Sequence, residues 1–369
     1  MLRSVFCLTL AGLATLGSTA PLDFPRAAIE ARDSLCRPTT KQNTGEYSLP
    51  CSTYSSALTC PNGLQKKAGG TVLLVHGTGS TGAETWANGP YMELLPSAGP
   101  GYDVCYVNLP ERALGDAQTS AEYVSYLTVA LSSESATGKV SLISHSQGGL
   151  NVQWSLDFWP ANRQLVNAFF AIAPDFHGTG EGPLACAALD LTEGGCNPSV
   201  LQQTVGSHFL DAINSQGGVA LVGTTVAYTK EDDIIQPEIL PITSRLSGAF
   251  VFAVQDLCGP LYIADHFTMT VSSAAYYLGL DALQNGGTAS SSHFNQASCA
   301  WTLDDVLLDN FNRLPAILSQ AFHDALAVIT YPKVKSEPLL RQYVCERGDA
   351  ASYCASTNYP TDINGIQPS

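Results

Sequence analysis

Charge is the scarcest commodity in this 369-residue chain. Only 13% of its residues are Asp, Glu, Lys or Arg, and 17 basic residues face 32 acidic ones, for a formal net charge of -15. No basic cluster is available to neutralise a phosphate backbone, which argues against nucleic acid as a partner, and an acidic surface repels anionic membranes at neutral pH. The substrate expected from this balance is electrically neutral. Also missing are a CxxC pair and any closely spaced Cys/His set, so no metal site and no cofactor is implied. There is no internal repeat, no low-complexity tract and no linker-like stretch, and beyond the N-terminus no apolar run is long enough to span a bilayer. These absences leave a single catalytic domain with ample apolar material, 45% of the residues, for a large core.

The opening "MLRSVFCLTLAGLATLGSTAPLDFP" has one basic residue, an apolar stretch from Val5 to Leu16 and small residues up to Ala20, the pattern of a secretory signal peptide over residues 1–20. Residues 21–70 are rich in Pro, Ser, Thr and Gly without periodicity and read as an irregular N-terminal arm, with "RAAIEAR" as a candidate pro-segment; residues 71–369 are the catalytic domain with a C-terminal extension. Of the eleven cysteines the signal would remove Cys7, leaving an even ten, as expected of disulfides in an exported, extracellular protein.

From Thr71 onward, short apolar runs ("TVLLVHG", "YDVCYVNLP", "KVSLISH", "LVNAFFAIAP", "GVALVGTTVAYT", "GAFVFAVQDL") alternate with helical stretches such as "AEYVSYLTVALSS", "GLNVQWSLDFW", "VSSAAYYLGLDAL" and "LPAILSQAFHDALAVI". That alternation predicts an α/β fold, a mostly parallel sheet with helices on both faces. Such sheets carry reactive groups beyond the carboxyl ends of their strands. There the sequence offers His76-Gly77-Thr78-Gly79, then Ser146, then Glu231, Asp232 and Asp233, then His266. Serine, acid, histidine is the chain order of an α/β-hydrolase triad, in which histidine takes the proton of a weakly nucleophilic serine and the acid fixes the imidazole tautomer. "SHSQG" around Ser146 departs from Gly-x-Ser-x-Gly at Ser144, the next smallest polar choice where strand and helix crowd. Strand position alone does not separate Asp232 from Glu231 and Asp233.

Six segments in order, "LLVHGTGSTG", "SHSQGGLNVQW", "APDFHGTGEGPL", "SVLQQTVGS", "AYTKEDDIIQP" and "LCGPLYIADH", resemble those of the fungal lipase family typified by Candida antarctica lipase B, over about Thr71 to Leu283. The resemblance implies an α/β-hydrolase fold, metal-independent hydrolysis or transfer of acyl groups, Ser146 as nucleophile, His266 as base and Asp232 as acid. It implies an oxyanion hole from Thr78, by its N–H and hydroxyl, and from the N–H of Gln147. It matches Asp175 and Gln203 to polar residues of the acyl pocket, and His145 to a tryptophan that narrows the alcohol pocket, so that a roomier, more polar pocket is expected here. His76, at a family proline, is expected to scaffold the oxyanion loop; His177, His208, His293 and His323 are expected to carry no chemistry. The family pairs Cys60 with Cys105 and Cys258 with Cys299; proximity adds Cys36 with Cys51, Cys186 with Cys196 and Cys345 with Cys354. The expected activity is that of a secreted, monomeric lipase meeting a small-molecule or lipid ester, in part at a lipid–water interface. A carboxylesterase or acyltransferase on small soluble esters is the nearest alternative, and a non-catalytic binding protein the alternative from another class.

Overall fold

The computed structural model describes residues 43–181, 195–215, 218–299 and 310–356. The expected signal peptide, Cys36, Cys186 and most of the stretch between Pro183 and Val200 lie outside the described residues. Seven strands form one sheet in the order β1-β3-β2-β4-β5-β6-β7. They are β1 (Leu58–Thr59), β2 (Thr71–Val75), β3 (Asp103–Val107), β4 (Val140–His145), β5 (Val166–Ile172), β6 (Thr224–Tyr228) and β7 (Phe250–Ala253). Only the edge pair β1 and β3 runs antiparallel; every other pair is parallel. Strands β2, β3, β4 and β6 are buried at every position, as parallel strands covered on both faces must be.

Among the described residues four helices exceed ten residues: α1 (Ala117–Glu134), α2 (Gly148–Phe158), α3 (Ser273–Gln284) and α4 (Asn310–Thr330). Two begin where a side chain satisfies the first free amides: the Asp116 carboxylate accepts from the Gln118 N–H, and the Ser272 hydroxyl from the Ala275 N–H. One half of the core joins α1 and α2 to the sheet through Val124, Leu127, Leu131, Trp154 and Phe158. The other places α3 on the opposite face, with Leu278, Ala282, Trp86 and Tyr91 around Phe170. Gly279 lets α3 approach the sheet, since a Cβ there would lie 2.7 Å from the Phe170 ring.

The described part of the N-terminal region, residues 43–70, is more regular than its composition suggests. It supplies a short helix, Cys51–Ser56, and edge strand β1, and its Tyr47 and Tyr54 pack against Tyr126. The run "GVALVGTTVAYT" is strand only over β6. Disulfides join Cys60 to Cys105, Cys258 to Cys299 and Cys345 to Cys354. Cys51 and Cys196 are disulfide-bonded as well. The C-terminal segment folds back onto α1 and α2, where the Trp154 indole N–H donates to the Tyr343 hydroxyl and Arg341 pairs with Asp116.

Candidate active site

The carboxyl ends of β2, β4, β5 and β6 converge on one place. Strand β4 ends at His145, and Ser146, followed by Gln147 at the helix cap, links strand to helix with φ at +56°, left-handed backbone that a side chain adopts only when its surroundings impose it. The Ser146 N–H donates to the Ile172 carbonyl at 3.0 Å, and the Ser146 carbonyl accepts from Gly149 at 2.8 Å. Crowding explains the glycines around it. A Cβ on Gly148 would sit 2.6 Å from the Val75 carbonyl oxygen, and one on Gly149 would sit 2.7 Å from Pro174 Cβ. Ser144, at the position where the motif usually has glycine, is fully buried, so a hydroxymethyl group fits there. Together these features give a strained strand-to-helix elbow with Ser146 at its tip.

Beyond β6, Asp232 is buried, whereas Glu231 and Asp233 are exposed. Its Oδ1 accepts from the N–H groups of Ile234 (2.9 Å) and Ile235 (2.7 Å), which turn the carboxylate inward. Its Oδ2 lies 2.9 Å from His266 Nδ1. A carboxylate only accepts, so Nδ1 carries the imidazole proton and Nε2 keeps the lone pair, the tautomer a general base needs. Burial alone would raise the Asp232 pKa, but the charge and hydrogen bond of His266 and the two amides outweigh it and hold the carboxyl below its usual range. Burial pulls His266 down while Asp232 pulls it up by charge and hydrogen bond, and the net shift is upward.

On the opposite side, the Thr78 hydroxyl donates to Gln147 Oε1 at 2.6 Å, and Gln203 Nε2 reaches the same hydroxyl at 3.0 Å and the Ser199 carbonyl at 2.9 Å. Thr78, Gln147 and Gln203 thus form one hydrogen-bonded group beside the elbow. His76 braces this loop: its Nδ1 donates to the Gly77 carbonyl and its Nε2 accepts from the Leu109 N–H. Full burial drives its pKa down to about 4, which keeps it neutral.

Asp175, just beyond the end of β5, is fully buried, and neither carboxylate oxygen has a side-chain or backbone partner among the described residues. Burial raises its pKa to about 7. His145 differs from the pocket-lining position expected for it. Its side chain is buried, its Nε2 donates to the His266 carbonyl at 2.9 Å, and the two rings lie 4.6 Å apart. Burial and the neighbouring His266 lower its pKa to about 3. The geometry makes it a neutral prop under the backbone of His266 rather than a wall of an open cavity.

Arg112 adds a support to the loop after β2 that no motif in the sequence marks. Arg112 exchanges hydrogen bonds with Gly79, the residue after Thr78: its carbonyl accepts from the Gly79 N–H at 2.8 Å and its Nε donates back to the Gly79 carbonyl. Its guanidinium also pairs with Glu84 and with Asp324 of α4. Only the left-handed backbone at residues 111–113 brings Arg112 there, and a residue with ordinary side-chain preferences gives no sign of that in sequence. Among the described residues no group of three or more His, Cys, Asp or Glu could hold a metal ion, and no helix is long and apolar enough to cross a membrane.

Comparison with models of known protein families finds no match. The chain is 33% identical over 307 residues to lipase B of Pseudozyma antarctica, an alignment covering 80% of this chain and 85% of the relative. Its fold is similar to the crystal structure of Aspergillus fumigatus lipase B, with a TM-score of 0.73 and 30% identity over 83% of this chain and 74% of that one. With a seven-stranded, mostly parallel sheet, an elbow serine and this likeness along most of its length, the chain belongs to the lipase B family of α/β-hydrolases.

Proposed function

We propose that the chain is a secreted serine ester hydrolase that works through an acyl-enzyme, with Ser146 as nucleophile, His266 as base and Asp232 as its orienting acid. The observation that carries this reading is a left-handed Ser146 at the end of β4 together with a buried Asp232-His266 couple beyond β6, whose hydrogen bond leaves Nε2 of the neutral ring unprotonated. Ser146 Oγ attacks the ester carbonyl as its proton passes to His266 Nε2, and Asp232 stabilises the imidazolium. Negative charge develops on the carbonyl oxygen and is met by the N–H groups of Thr78 and Gln147 and by the Thr78 hydroxyl, which exchanges Gln147 Oε1 for the oxyanion. His266 then protonates the departing alcohol, and water or another alcohol repeats the sequence to release the acyl group.

Asp175 and Gln203 serve the acyl side of the pocket. Asp175 is suited to this because its oxygens are unclaimed among the described residues. His145 serves as the prop of the base. The lipid-facing surface is the outer face of α4, where Leu318, Phe322, Leu326 and Ile329 are all exposed; together with Leu240 and Leu261 they suit an uncharged lipid surface. The test is labelling with a fluorophosphonate, followed by rates on esters of graded acyl and alcohol size. Label on Ser146 in wild-type protein and none in Ser146→Ala supports the mechanism; folded protein that takes no label refutes it and favours a binding role. Hydrolysis of emulsified triglyceride separates a lipase from an esterase confined to dissolved substrates.

A further inference from the structure

Six residues after Asp232, Glu238 is 1% exposed, and its Oε2 has no partner among the described residues. Its Oε1 is hydrogen-bonded to the hydroxyl of Ser244, which is fully buried. The same hydroxyl lies 2.6 Å from the carbonyl oxygen of Pro174. Proton counting decides the direction of these bonds. A serine hydroxyl has one hydrogen, and a carbonyl oxygen has none to give, so the Ser244 proton goes to Pro174. The bond between Ser244 and Glu238 then requires a hydrogen from Glu238. Sharing one hydrogen between two such short contacts does not satisfy both.

Pro174 occupies a demanding place. It follows Ala173, which is left-handed with φ at +44° and is held by its N–H on the Ala227 carbonyl at 2.8 Å. It packs against Gly149 in the first turn of α2, behind Ser146, and it precedes Asp175. A strained turn of this kind persists only where neighbouring bonds over-determine it. We propose that Glu238 is a positioning residue that works as an un-ionised carboxylic acid: its O–H donates to Ser244, whose O–H donates to Pro174, and this relay pins the turn that delivers Asp175 and backs the helix of the nucleophile.

The surroundings agree. Burial pushes the Glu238 carboxyl up to about 8; Asp232 adds to the shift, while the Ser244 amide and His266 act against it. Tyr228, at the end of β6, feels both Glu238 and Arg245. Once ionised, Glu238 can only accept. The Ser244 proton then turns to it, and the Pro174 carbonyl loses its donor.

The kinetic part of the test rests on the ester-hydrolase reading, and a spectroscopic part does not. For a dissolved short-chain nitrophenyl ester, wild-type kcat/KM is expected to fall about fivefold, the equivalent of one lost neutral hydrogen bond, as pH rises through about 8. Glu238→Gln donates the same bond without ionising, so its rate should match the wild-type plateau and stay level through that range. Ser244→Ala should be slowed at every pH. An unchanged alkaline fall in Glu238→Gln, or a wild-type profile without one, overturns the positioning role. Independently, infrared spectra of protein carrying isotope-labelled glutamate should show at neutral pH a protonated carboxyl band that titrates near 8 and shifts in Ser244→Ala. Absence of that band overturns the proposal even where Glu238→Gln fails to fold. If ester turnover is absent altogether, the functional reading fails while the band still decides where the proton is.

Discussion

Replacing Gly77 with alanine tests the elbow from the side opposite the triad. A Cβ at position 77 would lie 2.6 Å from Ser146 Cβ, 3.1 Å from Ser146 Oγ and 3.2 Å from the His145 carbonyl oxygen. Ordinary carbon contacts are about 3.5–4.0 Å, so something must move by about 1 Å. The Gly77 side resists, because its carbonyl is held by His76, itself tied to the Leu109 N–H. Among the described residues the hydrogen bonds of Ser146 are those of its backbone, so the displacement falls on its side chain, the proposed nucleophile. Overpacking of this size costs about 1–3 kcal/mol of stability, which a domain with this core survives, whereas a 1 Å misplacement of a reacting group costs about 10²-fold in rate. Gly77→Ala should therefore fold, melt somewhat earlier and lose about two orders of magnitude in kcat on a dissolved ester, with a parallel loss in its rate of inactivation by a fluorophosphonate. A folded variant retaining more than about a fifth of wild-type kcat would refute the argument that the absence of a side chain at Gly77 sets the position of Ser146.

The other predictions concern the acid, the oxyanion donors and the staples. Asp232→Asn leaves the fold intact but permits the wrong imidazole tautomer, and kcat should fall by about 10⁴-fold. Only neutral His266 can take the serine proton, so kcat/KM rises with pH through the His266 pKa. That pKa is raised, so the wild-type acid limb should lie above 6.5, and it should move downward in Asp232→Asn, where burial acts without its opposing charge. A limb below 6.5 in the wild type would contradict the coupling. Thr78→Val keeps one donor of the oxyanion hole and removes another; a fall of about 10²-fold in kcat with KM little changed is expected, and a pure KM effect would place Thr78 elsewhere. Loss of the Cys60–Cys105 bridge, which closes 45 residues, should lower stability by about 4 kcal/mol in equilibrium unfolding of Cys60→Ser/Cys105→Ser; a change under about 1 kcal/mol would show that β1 and β3 hold together without it.

The strands that position the site were legible because parallel strands buried on both faces must be nearly all apolar, and β2, β4 and β5 announce themselves that way. Ser146 was legible because the glycines after it mark the one place where strand, helix and the loop after β2 crowd together. The acid was not legible from pattern alone. Glu231, Asp232 and Asp233 follow the same strand, and what distinguishes the middle one is a backbone turn that points the Ile234 and Ile235 amides at its carboxylate. His145 shows the opposite limit. Its neighbour in sequence is the proposed nucleophile, yet its hydrogen bond goes to the backbone of a residue 121 positions away. Strand β1 escaped because two residues carry no period; what ties that region down is the packing of Tyr47 and Tyr54, which only the tertiary fold assembles.

Helix α4 shows how local pattern and tertiary demand part company. Its apolar residues at Leu318, Phe322, Leu326 and Ile329 fall on one face, and for a helix of a soluble domain that face is expected to be the buried one. The observed helix buries Ile317, Gln320 and Asp324 instead. Gln320 donates to the hydroxyls of Ser80 and Thr85, and Asp324 pairs with Arg112, which holds Gly79. The helix is thus fastened to the loop after β2 by polar groups while its apolar stripe stays exposed. Fastening by buried hydrogen bonds opposes a swinging motion, because each bond broken would leave a polar group unsatisfied. Under the proposed function, then, contact between α4 and an uncharged lipid surface needs no opening of this helix. The same bonds that hold the loop after β2 in place keep the lipid-facing stripe presented.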